Sequence, residues 1–294
     1  MGTFFKYLFI GYKNYGKAIR LILANRLYIY FLIPIALMVG IFWFGKWVES
    51  NQYAPDINSI HHMSDIIWYS FGQHWLEIMG TVISKFSKYL VVILLSPLFA
   101  LLSERVEELL THNRYPFKLQ QTVHDVKRGI RIALRNIMWE YFFFILVLGI
   151  VAFLDGGIRS ILFFSIPITI GFFYYGFSFI DYVNERRRLN IEQSIYFVRK
   201  YRGLAVAIGS VYSLLFLLPV DFDAMTNFSG METAPFATIG KVFLYILAWF
   251  CVGCAPVLAI VAATLSMHEL VDLSKNDFAI KAEEEITPII SNEQ

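Results

Sequence analysis

Between Asn136 and Asp181 the chain carries two apolar runs, Ile137–Leu154 and Ile158–Ile180, separated only by Asp155-Gly156-Gly157. A connection that short can only return the chain on itself. The first run has about 18 residues, the lower end of the range that spans a bilayer. Inside hydrocarbon a backbone must satisfy its own hydrogen bonds, so both runs are expected to be helices. The expected unit is a helical hairpin in the membrane, either crossing it or entering part-way. Composition agrees with this. Only 16% of the 294 residues are charged and 57% are hydrophobic, with mean hydropathy +0.56, whereas soluble chains carry about 25% charge.

Other stretches extend the pattern. Residues 1–26 are amphipathic: Phe4, Phe5, Leu8, Phe9, Tyr12 and Tyr15 recur at helical spacing, with Lys6, Lys13 and Lys17 toward the polar side. Such a face suits the bilayer interface, and Gly11 and Gly16 predict a bend or break in it. The start lacks a short apolar core followed by a small-residue cleavage site, so the first apolar run reads as a retained anchor. Leu27–Val48 is the first expected crossing, kinked by Pro34 and marked at its far end by Trp43 and Trp47. Leu76–Leu102 is the second, with Lys85 and Lys88 inside it and Ser96-Pro97 ending or kinking it. The stretch Ser103–Glu108 then resumes a helix in water.

From Thr122 a basic amphipathic helix is expected along the headgroups. Val123, Val126, Ile130, Ala133, Leu134 and Ile137 lie on one side, and Lys127, Arg128, Arg131 and Arg135 toward the other. A second hairpin follows the basic stretch 181–202. Its short arm is Gly203–Pro219, and its long arm, Phe236–Met267, is interrupted by Gly240, Gly253 and Pro256. The division is one integral membrane domain over 1–275 and a loose acidic tail over 276–294, which holds Glu283, Glu284 and Glu285.

Charge sets the orientation. Lysines and arginines number five in 1–26, seven in 104–137, six in 181–202 and two in 268–294, while 49–75, 155–157 and 220–235 hold none. The positive-inside rule then favours six excursions with both termini cytoplasmic.

Several constellations carry no chemistry. Cys251 and Cys254 have redox-pair spacing but sit in an apolar arm with no nearby His, Asp, Lys or Arg to lower a thiol pKa, so they read as packed thiols. His61, His62, Asp65 and His74 show no spacing that selects a metal geometry, so no metal site or cofactor is expected. Asn227-Phe228-Ser229 fits a glycosylation acceptor by pattern alone. There is no Walker motif, nucleotide-binding glycine fingerprint, HExxH or nucleophile elbow, and an enzyme is not expected. Arginines at membrane junctions suit anionic lipid better than nucleic acid.

The informative feature is where basic residues meet helix starts. Lys17, Arg20 and Arg26 flank the first crossing. Arg128, Arg131 and Arg135 precede the first hairpin, and Arg199, Lys200 and Arg202 with Gly203 precede the second. Free backbone N–H groups at helix breaks can join such cations around a small oxyanion, as the broken helices of transporters do.

Ser96-Pro97-Leu98-Phe99 through Glu104-Arg105-Val106-Glu107, then Asp181-Tyr182-Val183-Asn184-Glu185-Arg186-Arg187-Arg188-Leu189, resemble the CysZ family of bacterial sulfate permeases. The likeness continues through Arg202-Gly203-Leu204-Ala205, Pro219 and Ala255-Pro256-Val257-Leu258 to Ala263-Thr264-Leu265. It implies an all-α, polytopic, inner-membrane protein with long transmembrane helices, two partly penetrating hairpins and amphipathic surface helices. It also implies a homo-oligomer taking up sulfate for cysteine synthesis without a nucleotide-driven motor. The family includes eukaryotic members, related to an etoposide-induced protein, whose work is not sulfate uptake. The family's glycine-leucine-arginine motif, associated with sulfate binding, falls at Arg26-Leu27-Tyr28, where only Leu27 is kept.

Candidate anion-binding residues are therefore Arg20, Arg26, Leu27, Arg202 and Gly203. Candidate helix-break or packing positions are Pro34, Pro97, Gly156, Gly157, Pro219 and Pro256. The functional expectation is uptake of sulfate or a related oxyanion, passive or ion-coupled. The rival is a non-transporting scaffold that organises anionic lipid. Both require the chain to stay in the membrane pellet after carbonate washing, and recovery of intact chain in the detergent-free soluble fraction would refute both.

Overall fold

The computed structural model describes residues 2–50, 91–113, 119–151, 153, 156–218, 221, 224–225, 228–229 and 233–275. The expectations for His61, His62, Asp65, His74, Lys85, Lys88, Pro219, Asn227 and the tail 276–294 lie outside these residues, as does most of the second expected crossing. All regular structure among the described residues is helical: α1 Gly2–Ala24, α2 Leu32–Ser50, α3 Ser96–Thr111, α4 Leu119–Val151, α5 Gly156–Arg186, α6 Ile191–Lys200, α7 Arg202–Leu215 and α8 Pro235–Val271, with 3-10 turns at Leu27–Phe31 and Leu273–Lys275. Among the described residues three stretches are long and apolar enough to cross a membrane: Leu27–Phe44, Lys127–Val151 and Pro235–Val271. Only 11% and 12% of the residues in the first two are buried within the chain, against 61% in the third. The third thus belongs partly to the protein core.

The core is built around α7. Gly203 and Ala207, four apart, face α1, while Ala205 and Gly209, also four apart, face α5. A methyl group added at Gly209 would lie 1.8 Å from the Phe172 carbonyl oxygen, and one at Gly176 would lie 1.8 Å from that of Ala205. One at Gly203 would lie 2.2 Å from the Phe4 carbonyl oxygen, and one at Gly11 2.5 Å from Ala207 Cβ. This is the small-residue spacing by which helices approach closely in lipid, where association relies on packing rather than on expulsion of water. Tyr212, buried and packed on Phe179 and Tyr175, extends the contact with α5. The buried half of α8, from Val252 to Met267, closes another side. Ser103 and Thr264 join it to α3 through a 2.7 Å hydroxyl pair.

Packing overrides several local expectations. α1 runs unbroken through Gly11 and Gly16 because the missing side chain at Gly11 admits α7. Its aromatic residues divide: Tyr15 is buried and donates to the Ile208 carbonyl at 2.6 Å, while Phe5, Phe9 and Tyr12 are exposed. Pro34 does not kink a helix; the irregularity precedes it, in the 3-10 turn, and Pro34 sits in the first turn of α2, where its missing N–H has no partner to lose. At Ser96-Pro97, by contrast, the expected interruption is present: residues 91–94 are helical, Leu95 breaks the run, and α3 starts afresh at Ser96 with Pro97 in its first turn. Gly156 and Gly157 form the first turn of α5 and so belong to the helix and not to the connection before it. α8 is continuous through Gly240, Gly253 and Pro256. Gly253 lets Ile35 of α2 approach, and neighbouring helices hold the segment around Pro256 despite its absent donor.

A lattice of buried charge pins the ends of these helices. Arg128 of α4 donates from Nη2 and Nε to Asp181 of α5 at 3.0 and 3.2 Å. Ser194 of α6 donates to the same carboxylate. Arg186 pairs with Glu107 of α3 at 2.9 Å. Arg128 is therefore an inward residue and not part of a polar outer face, whereas Leu134 is exposed. The stretch 103–108 is not wholly in water either, since Ser103, Val106 and Glu107 are buried. The arginine run ends α5: Arg188 takes φ 53°, and the Leu189 N–H bonds back to the Asn184 carbonyl at 3.1 Å.

Two outcomes follow for purified protein. Gly209→Ala should cost about 3 kcal/mol, the upper range for overpacking, and lower the melting temperature in detergent. Gly240→Ala, with nothing within 4 Å of the new methyl, should leave it unchanged or raise it. Arg186→Met should cost about 3–5 kcal/mol by removing one partner of a buried ion pair, with much of the loss recovered in the Arg186→Met/Glu107→Leu double variant. A melting temperature unaffected by Gly209→Ala or by Arg186→Met would contradict the packing described.

Candidate functional site

The basic residues fall into two classes, and the difference is whether a carboxylate lies within reach. Arg128 and Arg186 are committed to Asp181 and Glu107. Lys13 and Lys17 approach Glu269 at 3.6 and 2.9 Å. Arg187 lies over the Phe197 ring at 5.3 Å and is half-buried, and that burial lowers its pKa.

Arg135 and Arg199 behave differently. They come from α4 and the last turn of α6 and line one cleft of about 250 Å³, together with Tyr174, Phe173, Phe177, Trp139, Phe143 and Ile195. Neither has an ion-pair partner among the described residues; Arg135 feels the Asp181 carboxylate, which Arg128 holds, and more weakly the like charge of Arg199. Arg135 stacks on Phe177 at 4.5 Å and donates from Nη2 to Asn136 Oδ1 at 2.8 Å. Its buried Nε has no hydrogen-bond partner among the described residues. Asn136 is itself fixed by donating to Ser178 Oγ at 3.0 Å. The cleft thus offers two cations, one of them with an orphaned N–H, on an aromatic wall, in a volume several times the ~30 Å³ share of a water molecule. That donor set fits a small dianion. It offers no nucleophile–base pair, and among the described residues no three His, Cys, Asp or Glu are grouped to hold a metal.

The cations proposed from sequence spacing do not converge. Gly203 and Arg202 sit beside Phe4, near the start of α1. Arg20 lies 16 residues further along the same helix, about 24 Å away at the helical rise. Arg20, Arg26 and Arg202 are exposed. Leu27 is buried in the core, and Gly203 serves close packing, its Cα side filled by the Phe4 carbonyl. Arg26 has φ 56°, a left-handed conformation that glycine adopts freely and that costs other residues about 1–2 kcal/mol. This is the position at which the resemblance places a glycine. Sequence grouping placed Arg135 and Arg199 ahead of the two hairpins but offered no reason to prefer them. That reason is the absence of a carboxylate partner, a three-dimensional property.

Beside this cleft, Arg199, Lys200, Arg202 and Gly203 form a groove of about 580 Å³ with Thr3, Phe4, Phe5 and Tyr7 of α1. Cys251 and Cys254 are both free in α8.

Comparison with known proteins agrees with the helical, membrane-suited architecture. No curated protein matches the chain. The family described as "Sulfate transporter CysZ/Etoposide-induced protein 2.4" matches residues 14–220, a stretch that includes Arg135 and Arg199 and stops before α8. That description is of a transporter and not of an enzyme. With more than half of its length matched, the chain belongs to the sulfate transporter CysZ/etoposide-induced protein 2.4 family.

Proposed function

We propose that the chain moves sulfate or a closely related oxyanion across the bacterial inner membrane, passively or coupled to an ion gradient and without ATP hydrolysis. The observation that carries this reading is the pairing of Arg135 and Arg199 in one cleft without a carboxylate. Two guanidinium groups match the charge of a dianion, and an arginine's planar donors suit tetrahedral oxyanions. Replacing part of the hydration shell with such donors, without a full cage, lets an ion enter and leave. Arg20 and Arg26, at the other end of α1, act as surface charge that draws anions to that face.

The membrane arrangement belongs to the same proposal. Residues 1–275 form one integral domain and the acidic tail lies outside it. α4 with α5, and α7 with α8, are membrane-inserted hairpins. The 14 residues of α7 rise only about 21 Å, short of a ~30 Å hydrocarbon core, and the surrounding helices shield that segment. Both termini are cytoplasmic, and exposed apolar residues such as Trp43 and Trp47 on α2 and Phe243 and Leu244 on α8 face lipid or a second copy in a homo-oligomer. The exposed Phe5, Phe9 and Tyr12 of α1 support the rival reading, a lipid-organising scaffold.

Flux in proteoliposomes separates the two. Labelled sulfate should enter vesicles holding the wild-type chain. Arg135→Gln and Arg199→Gln should each slow entry about tenfold or more, the worth of a charged hydrogen bond, with folded yield unchanged. Equal entry into protein-containing and empty vesicles would leave the scaffold.

A further inference from the structure

Arg199 lines two cavities. One is the cleft shared with Arg135, and the other is the groove at the start of α1, which holds Arg199, Lys200 and Arg202 and no carboxylate. None of these three cations has an ion pair among the described residues; Lys200 lies over the Tyr201 ring at 5.5 Å. The groove is held open by backbone. The Phe4 carbonyl fills the space beside Gly203, and the Tyr7 and Tyr201 rings meet edge-on at 4.8 Å. From its mouth, Phe5, Phe9 and Tyr12 continue along α1 as exposed apolar surface at helical spacing, 59%, 69% and 44% exposed. Three cations at one end of an apolar strip fit a ligand with an anionic head and a hydrocarbon body. A free anion would leave the strip without purpose.

The geometry points to a regulatory site for an anionic phospholipid: its phosphate sits among Arg199, Lys200 and Arg202, its acyl chain lies along Phe5 and Phe9, and an occupied groove draws Arg199 away from the oxyanion cleft. The regulatory part rests on the transport reading given above. One guanidinium charge shared between two mutually repelling anions holds each less tightly, so headgroup binding lowers oxyanion affinity in the neighbouring cleft. Charge reversal at exposed Lys200 removes the lipid without touching the Arg135 side.

The full-length chain purified in non-ionic detergent tests this in two measurements. Native mass spectrometry counts bound short-chain phosphatidylglycerol, with phosphatidylcholine of equal chain length as control. Retention of phosphatidylglycerol should fall about 30-fold in Lys200→Glu, a change of two charges at the headgroup, and Arg202→Ala should weaken it less. Equilibrium dialysis of labelled sulfate should show wild-type affinity falling several-fold as phosphatidylglycerol is added, while Lys200→Glu binds sulfate normally and ignores the lipid. Equal retention of the two lipids, or of phosphatidylglycerol by wild type and Lys200→Glu, would overturn the site. So would inorganic phosphate displacing the lipid at concentrations equal to the lipid's own, since the groove would then be a free-anion site. A chain that binds no sulfate yet loses phosphatidylglycerol on Lys200→Glu would overturn the transport reading alone and uphold the headgroup site.

Discussion

The structure depends on how closely α7 approaches α1 and α5. Two glycines, Gly176 and Gly209, cross with no side chain between them, and Gly203 lies against the backbone of α1. Larger residues there would push the helices apart by at least the radius of a methyl group. α6 precedes α7 directly in the chain, so the close crossing also fixes where the last turn of α6 points. Arg199 reaches Arg135 because α7 is seated this deeply, and it borders the α1 groove for the same reason.

Buried charge does the complementary work. Removing a charge from water is costly unless a partner is supplied, and the lattice of Arg128, Asp181, Ser194, Arg186 and Glu107 supplies partners across four helices. These residues hold α3, α4, α5 and α6 in register. Asp181, saturated by Arg128 and Ser194, leaves the neighbouring Arg135 without a carboxylate of its own. One set of arginines is thereby consumed in architecture, and the other is left facing cavities. The division gives physical content to a chain whose basic residues cluster beside its apolar runs.

The sequence was readable where one property acts locally. Long apolar runs announce helices because one continuous run can satisfy its own backbone in hydrocarbon only as a helix, and Leu27–Phe44, Lys127–Val151 and Pro235–Val271 are such stretches. The motif stretches from Ser96 to Glu107 and from Asp181 to Leu189 pointed to the family that matches residues 14–220. Local propensity misled where tertiary contact outweighs it. Gly11 and Gly253, expected to interrupt helices, are where other helices press in, and Pro256 lies inside an unbroken helix. Helical periodicity placed Arg128 on the polar side because it cannot register a carboxylate 53 residues away.

Composition, hydropathy and the distribution of lysine and arginine determined by themselves that this is a helical, membrane-suited chain, since those properties add up along the sequence. Which arginines are structural and which are available was decided only by tertiary structure. Arg20, Arg26 and Arg202 looked equivalent to Arg135 and Arg199 as charges near helix starts. Only folding separates Arg202 from Arg20 along α1, spends Arg128 on Asp181 and brings Arg135 and Arg199 to a common cleft. The physical reason is that the energy of a charge depends on what lies within a few ångströms of it, and its neighbours in space are not its neighbours in sequence.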